Sequence, residues 1–231
     1  MHSLVILTGA GLSAESGLAT FRGPGGLWEG HRVEDVCTPE ALARDPQLVH
    51  RFYDERRAGL ASVEPNAAHR ALARLAAEWP GKLLIVTQNV DDLQERAGID
   101  GHGKRLLHLH GELLSALCVR CDRRQRWAEA LPSGTACYCR GKLRPDIVFF
   151  GELPYGLEQV LEALKRCDLF VSIGTSGAVY PAAGFVQLAS QAGARTLELN
   201  LEASAGSDWF DESRLGPATE LVPAWVEEVL G

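Results

Sequence analysis

Residues 4–8 form a short apolar run that leads directly into Gly9-Ala10-Gly11-Leu12-Ser13-Ala14. This order fits the pattern G-x-G-x-x-G/A after a strand, where a dinucleotide pyrophosphate meets the N-terminus of a helix. The glycines permit a tight turn, and Ala14 still allows close packing of the helix. An ordinary strand–helix turn would also fit, and the acidic residue expected about 20 positions later is not evident. The turn therefore predicts a dinucleotide site only together with the rest of the chain.

The next stretch, residues 16–28, reads SGLATFRGPGGLW. Ordering so many glycines costs conformational entropy. A loop that also carries Phe21, Arg22 and Trp28 is suited to a lid that closes over an anionic ligand.

The rest of the chain alternates between strand-like and helix-like segments. Apolar runs recur at 4–8, 83–87, 147–150, 169–173 and 196–199, and helical spacing of apolar residues appears at 66–79, 155–165 and 181–192. This alternation predicts an α/β fold with a parallel sheet covered by helices on both faces. The regions 23–63 and 113–143 break the rhythm and are predicted to be insertions that form a small second lobe.

The composition limits the class of protein. The 231 residues are 46% hydrophobic and 23% charged, which is typical of globular proteins. A net charge of −7 with dispersed basic residues argues against nucleic acid as the main partner and favours a cationic substrate. No secretory signal is visible in these residues, and no apolar run approaches the ~18–20 residues that span a bilayer. We therefore expect a cytoplasmic protein that does not insert into a membrane.

Polar residues follow three of the predicted strands. The segment Gln88-Asn89-Val90-Asp91-Asp92 follows the run 83–87, Gly174-Thr175-Ser176-Gly177 follows 169–173, and Asn200 follows 196–199. In open α/β sheets, ligands bind beyond these carboxyl ends. Each residue alone could instead cap the next helix, but three such ends in one sheet favour a binding site.

Two histidines lie close together in Leu106-Leu107-His108-Leu109-His110-Gly111-Glu112. Strand alternation predicts that both rings lie on one face and that Gly111 lets a ligand approach closely. A histidine can act as a general base at neutral pH, although a structural role is the alternative for either ring. We interpret His69, in the middle of a predicted helix, as structural.

Four of the six cysteines cluster as Cys118-x-x-Cys121 and Cys137-x-Cys139. Two cysteine pairs at this spacing predict one zinc ion, and four thiolates leave no open position, so the metal should be structural. A redox-active dithiol is the alternative. Cys37 and Cys167 are interpreted as ordinary buried thiols.

Together, these motifs resemble those of the sirtuins, the NAD-dependent protein lysine deacylases. The resemblance covers residues 9–28, 88–91, 108–111, 143–152, 174–185 and 198–202 and the four clustered cysteines. It implies a Rossmann-like NAD-binding domain at 1–24, 64–112 and 144–231. It also implies a small lobe, with a helical module at 25–63 and a zinc module at 113–143, and an acyl-lysine peptide in the cleft between the two.

The resemblance also assigns roles to single residues. Those implied as catalytic are His110, the general base, with Asn89 and Asp91. Those implied to bind NAD are Gly9, Ala10, Gly11, Ser13, Ala14, Phe21, Arg22, Trp28, Gln88, Asn89, Asp91, Gly174, Thr175, Ser176, Asn200, Leu201, Glu202 and Ala218. Those implied to hold the peptide by β-augmentation are Val148, Phe150, Gly151, Glu152, Leu153, Gly177 and Val179.

Two features resemble the class III sirtuins, which prefer succinyl- and malonyl-lysine. Residues 18–22 read LATFR where typical deacetylases carry Ile-Pro-Asp-Phe-Arg, and Tyr53 and Arg56 lie three positions apart on one helix face. A phenol and a guanidinium can bind the carboxylate that ends a succinyl group. Without the resemblance, such a pair would be read as a solvated helix face, and the choice of Arg56 over Arg57 depends on it.

The implied reaction releases nicotinamide, free lysine and O-acyl-ADP-ribose, with His110 taking a proton from the ribose hydroxyls. Protein mono-ADP-ribosylation with the same cofactor and a non-catalytic NAD-sensing module are the alternatives. The expected partners are acyl-lysine proteins or peptides, and we expect a monomer.

Overall fold

A computed structural model describes residues 2–19, 27–28, 30–100 and 105–231, without the side chains of residues 27 and 28. The predicted NAD contacts Phe21 and Arg22 lie outside the described residues, as does the side chain of Trp28.

A six-stranded parallel sheet forms the centre of the fold. Its strands are β1 (Ser3–Thr8), β4 (Lys82–Thr87), β5 (Leu106–His108), β9 (Leu169–Ile173), β10 (Arg195–Asn200) and β11 (Glu212–Leu215). They lie in the order β11-β10-β9-β1-β4-β5, and all neighbouring pairs are parallel. Residues 4–8, 83–87, 169–173 and 196–199 were predicted as strands, and all four predictions are confirmed.

The helices are α1 (Ala10–Ala14), α2 (Val33–Val36), α3 (Pro39–Arg44), α4 (Pro46–Gly59), α5 (Ala67–Glu78), α6 (Leu93–Arg96), α7 (Leu157–Leu164), α8 (Phe185–Gln191) and α9 (Ala218–Leu230). Helices α5 and α9 pack with one face of the sheet around Leu72 and Trp225. Helices α7 and α8 cover the other face around Phe170 and Phe185. The α/β fold with helices on both faces is therefore confirmed.

The two insertions lie beside this sheet. Strands β6 (Gly111–Cys118), β7 (Arg124–Arg126) and β8 (Leu143–Ile147) form an antiparallel sheet in the order β7-β6-β8. Strands β2 (Leu27–Trp28) and β3 (His31–Arg32) form a two-stranded antiparallel pair. Helices α2 to α4 share a buried cluster with residues of β6 and of the segment after β8. The division of the chain into two domains stays a prediction.

One strand prediction was wrong. Residues 147–150 were expected to form a strand of the parallel sheet, but β8 ends at Ile147 and pairs antiparallel with β6. Phe149 is buried among Tyr53 and other residues of the helical cluster. The apolar run therefore reflects burial against α4, because continuous hydrophobicity alone does not distinguish a buried strand from a buried loop.

No helix within the described residues is long and apolar enough to cross a membrane.

Candidate active site

The glycine turn after β1 lies against the turn after β9. The backbone N–H of Gly11 donates to the carbonyl of Gly174 over 2.8 Å, and Gly9 donates to Ile173 over 2.9 Å. A Cβ atom on Gly11 would come 2.7 Å from Gly174 Cα, and one on Gly9 would come 2.8 Å from the Gly174 oxygen. Gly9 and Gly11 are therefore required for the contact between the two turns. This requirement is separate from any need to let a ligand approach the backbone.

Three predicted site residues meet at this edge of the sheet. The buried Ser13 hydroxyl donates to Asp91 Oδ2 over 3.0 Å and accepts from Asn89 Nδ2 over 3.1 Å. Asp91 also accepts from the backbone N–H of Leu93 over 3.1 Å. Burial raises the pKa of Asp91, although these hydrogen bonds oppose the shift. The network fixes an amide and a carboxylate beside the glycine turn.

His69, interpreted from the sequence as structural, joins the same network. Its Nδ1 accepts from the backbone N–H of Asn66 over 3.2 Å, which leaves the proton on Nε2, 3.3 Å from Ser13 Oγ. Burial lowers the pKa of His69 to about 4, so its ring is neutral at pH 7. His69 is the third residue of α5, whose N-cap is Asn66, and a polar side chain at this position can hydrogen-bond back to the cap residue. The spacing of Asn66 and His69 in the sequence is therefore a signal for this contact.

His110 and His108 do not share one face of a strand. Strand β5 ends at His108, and His110 lies in the turn before β6. Burial lowers the pKa of His110, while a hydrogen bond to the carbonyl of Gln88 opposes the shift. A neutral ring that donates one N–H to Gln88 keeps a lone pair on its other nitrogen, which is the state of a general base.

Gly111 does not face a ligand as expected. It has a φ of +88°, and a Cβ atom there would come 2.0 Å from the carbonyl oxygen of Asp146. The glycine is therefore required because β6 and β8 approach closely at this point, while the His110 carbonyl accepts from Val148 N–H over 2.9 Å.

The turns after β9 and β10 are tied together by their own side chains. Asn200 Nδ2 donates to the Thr175 carbonyl over 2.8 Å, and the hydroxyl of Thr175 lies 2.9 Å from that of Ser172. Ser176 is exposed, and its hydroxyl accepts from Ala178 N–H over 3.3 Å. The hydroxyl of Thr175, a residue implied to bind NAD, is thus engaged within the protein.

The remaining predicted NAD contacts lie around the ends of β1, β4, β10 and α9. Ala10 and Ala14 are half-buried on α1, Gln88 is half-buried after β4, and the backbone N–H of Gln88 donates to Thr8 over 2.9 Å. Leu201 and Glu202 are exposed directly after β10, and Ala218 opens α9. The backbone N–H of Gly216 donates to the Asn200 carbonyl over 2.9 Å, which brings the start of α9 to the end of β10.

The predicted acyl pocket lies on α4. Tyr53 is fully buried beside Cys37, and burial raises the pKa of its hydroxyl well above the usual value, so the phenol stays a donor. The guanidinium of Arg56 lies 3.2 Å from the centroid of the Phe52 ring, and its side chain is 13% exposed. Arg56 also donates to the Phe52 carbonyl over 2.5 Å. Arg57 donates to the Leu113 carbonyl over 2.7 Å and to Asp54.

The two predicted peptide-binding segments differ in exposure. Val148 and Phe150 are half-buried, Gly151 and Leu153 are exposed, and Gly177 and Val179 are half-buried. Glu152 is held by Arg144 over 2.9 Å and by the N–H of Phe149 over 2.9 Å. Glu152 therefore shapes the first segment from inside the protein.

The four clustered cysteines fit a zinc ion. Their sulfur atoms all lie within 4.8 Å of one another, with separations of 3.4, 3.5 and 4.0 Å between three pairs. Tetrahedral zinc with Zn–S bonds of ~2.3 Å requires sulfurs roughly 3.8 Å apart. The shortened Cys137-x-Cys139 knuckle is completed by Arg140 at a φ of +64° and by Gly141, where a Cβ atom would come 2.8 Å from Cys118 Sγ.

Two residues that support this site, Gln94 and Glu95, have no recognisable signal in the sequence. Gln94 Nε2 donates to the Thr8 hydroxyl over 3.0 Å, and Glu95 accepts from His108 over 2.7 Å. Both lie on α6, a helix of four residues that is too short to show a periodic pattern.

A parallel sheet whose carboxyl edge carries a glycine turn and a buried polar network is typical of a dinucleotide-binding α/β protein. That is the class that the fold and this edge define. Within it, the chain belongs to the Sir2 family, whose profile matches residues 9–181.

This chain is similar to known relatives and to solved structures along nearly its whole length. The NAD-dependent protein deacylase of Pasteurella multocida is 53% identical over 98% of this chain and 97% of its own. That of Vibrio parahaemolyticus is 50% identical over 99% and 95%. A Sir2 homologue in complex with NAD has a TM-score of 0.87 at 36% identity, with 99% and 91% of the two chains covered. A Sir2 complex with a p53 peptide and NAD⁺ has a TM-score of 0.81 at 29% identity, with 98% and 93% covered.

Proposed function

We propose that this protein is an NAD-dependent protein lysine deacylase that removes succinyl, malonyl and acetyl groups. The observation that carries the proposal is the position of His110. Its neutral ring is hydrogen-bonded to the carbonyl of Gln88, the residue before Asn89. In this position His110 would act as a general base beside the Ser13–Asn89–Asp91 network, at the edge where an α/β sheet binds its dinucleotide. The deacylase names of the relatives and the NAD and peptide complexes among the similar structures support it.

Each group at the edge has a task in this reaction. Bound NAD would supply the ribose carbon to which the acyl oxygen bonds as nicotinamide leaves. Asn89 and Asp91, held by Ser13, would orient the ribose. His110 would take a proton from a ribose hydroxyl, which its lowered pKa allows at neutral pH.

We attribute the preference for one acyl group over another to residues of α4. Arg57 is held by the Leu113 carbonyl and by Asp54, and Arg56 donates to the Phe52 carbonyl of its own helix. As the resemblance to the class III sirtuins implies, we assign the contact with an acyl group beside Tyr53 to Arg56 rather than Arg57. A protonated phenol and a guanidinium would pair with the carboxylate of a succinyl or malonyl group. An acetyl group would leave both without that partner and is the poorer substrate. The expected monomeric state and cytoplasmic location stay predictions.

The test is NAD-dependent turnover of acetyl-, malonyl- and succinyl-lysine peptides, followed by mass spectrometry. We expect the peptide to lose its acyl group and nicotinamide to appear. His110→Ala should lower kcat by about 10²–10⁴-fold, the usual contribution of a general base, and calorimetry should show retained NAD binding. His2→Ala, which changes an exposed residue before β1, is the control.

Three results would contradict the proposal. A peptide that gains ADP-ribose would show a transferase, and NAD binding without nicotinamide release would show a sensing module. Near-full deacylation by His110→Ala would remove His110 from the mechanism.

A further inference from the structure

His108, the last residue of β5, is almost enclosed and has an acceptor at each ring nitrogen. Its side chain is 7% exposed. Nδ1 lies 3.2 Å from the carbonyl oxygen of Asn89, and Nε2 lies 2.7 Å from Glu95 Oε1. The ring therefore bridges the 89–91 segment to helix α6.

These contacts determine how many protons the ring needs. A carbonyl oxygen only accepts, so Nδ1 must carry a hydrogen. An ionised carboxylate also only accepts, so Nε2 must carry one as well. Glu95 Oε2 is buried and has no hydrogen-bond partner among the described residues, so the His108 cation is the compensation for this carboxylate.

The charged groups that face the ring are acidic. They are Glu95 on α6, Glu112 on β6 and Asp91 after β4, and Glu112 is in turn paired with Arg124 over 2.8 Å. Burial lowers the pKa of His108, but the hydrogen bond and the charge of Glu95, with Glu112 and the Asn89 carbonyl, outweigh it. The net result is a pKa above 6.5.

We infer that His108 is a positioning residue that holds the Asn89 segment in place through its doubly protonated ring. Asn89 is fixed from its other side as well, since its N–H donates to Thr87 Oγ1 over 3.0 Å and its amide donates to Ser13. Loss of the proton on Nδ1 would set a ring lone pair against the Asn89 carbonyl oxygen and release that segment. This role rests on the proposed function, because it acts through Asn89 on the ribose.

The two histidines then give activity two limits. His110 must be neutral, so activity falls as pH drops through its lowered pKa. His108 must be charged, so activity falls as pH rises through its raised pKa. The expected pH profile of kcat/KM for NAD is bell-shaped, and His108 sets its alkaline side.

The experiment compares pH profiles of wild type, Glu95→Gln and Glu78→Gln. Glu95→Gln keeps the shape but removes the charge, so the pKa of His108 falls and the alkaline limb should move to lower pH by about 1 unit or more. Glu78→Gln, on the exposed end of α5, should leave the profile unchanged. Thermal melting identifies any variant that fails to fold.

A second readout does not depend on activity. Titration of labelled histidines by NMR reports the charge of His108 directly, with His108→Gln to assign its signal. A charged ring at pH 7 in wild type and a lower titration point in Glu95→Gln are expected. A neutral ring at pH 7 would overturn the inference, and so would a charged ring with an unmoved alkaline limb. If wild type lacked deacylation altogether, the proposed function would fail, while the titration would still decide the charge of His108.

Discussion

Single side chains at the sheet edge satisfy several partners at once. Ser13 Oγ donates to Asp91 and accepts from Asn89, and the Nε2 hydrogen of His69 points at the same oxygen. A hydroxyl has one hydrogen and two lone pairs, so this one is saturated. Ser13, Asn89 and Asp91 could be predicted from the motifs that contain them. The contribution of His69 could not, because 56 positions separate it from Ser13.

Arg56 provides the residue-level test of acyl selectivity. Arg56→Met keeps most of the side-chain volume and removes the charge, so kcat/KM on succinyl-lysine peptides should fall by roughly 100-fold, the equivalent of ~2–3 kcal/mol for a charge-assisted contact. Acetyl-lysine turnover should change by less than about threefold, because an acetyl group has no carboxylate.

The matched control for Arg56 is Arg51→Met, an exposed residue on the same helix. It should leave the ratio of succinyl to acetyl turnover unchanged. An equal loss on both acyl groups in Arg56→Met would show that Arg56 supports the helix rather than the acyl group.

At the scale of elements, the turns after β1 and β9 form one unit because glycine lets their backbones touch. Gly174 has a φ of +62°, and a Cβ atom on it would come 2.5 Å from the N atom of Leu12. The sequence indicates that Gly11 belongs to a dinucleotide-binding turn after β1. It did not indicate that Gly174, 163 positions after Gly11, forms the other half.

Gly11→Ala tests this contact. The added methyl group would press on backbone that cannot move away, so the free energy of unfolding should fall by about 2 kcal/mol or more. Affinity for NAD should fall with it, by roughly tenfold or more. Urea unfolding and calorimetry measure the two effects.

Gly59→Ala is the control for a glycine without such a contact. Gly59 is helical, and among the described residues no atom beyond its own stretch of helix lies within 4 Å of a Cβ placed there. Alanine should stabilise the helix by up to about 1 kcal/mol and leave NAD affinity unchanged. A Gly11→Ala protein as stable as Gly59→Ala would mean that the two turns can separate freely.

Across the whole molecule, an ion-pair network joins the cysteine cluster to the His110 turn. Arg124, three positions after Cys121, donates to Asp146 over 2.6 Å and to Glu112 over 2.8 Å, and Tyr155 donates to Asp146 over 2.8 Å. Glu112 lies two positions after His110. Asp146 is fully buried, so breaking this network would leave its charge uncompensated.

Cys137→Ser tests the coupling between zinc and this network. The variant should lose most of its bound zinc, and its melting temperature should fall by roughly 5 °C or more, since each kcal/mol of lost stability shifts it by about 2–4 °C at this size. Deacylation should fall as well, because β7 carries Arg124. Metal analysis, thermal melting and turnover assays check these outcomes.

Cys167→Ser is the matched control, because Cys167 is a buried thiol between α7 and β9 that donates to the Leu164 carbonyl over 3.3 Å. It should keep full zinc content and deacylase activity. If Cys137→Ser lost zinc without any loss of stability, the ion would not be structural.

The sequence by itself determined the parallel α/β sheet, the four-cysteine cluster and the polar strand ends. Periodicity, ligand spacing and strand-end position are all local in the chain. The tertiary structure alone decided that Gly11 meets Gly174, that Gly111 faces Asp146, that residues 147–150 leave the parallel sheet and that His108 lies between Asn89 and Glu95. These contacts join residues far apart in the chain, and their energies depend on burial and distance, which local sequence does not specify.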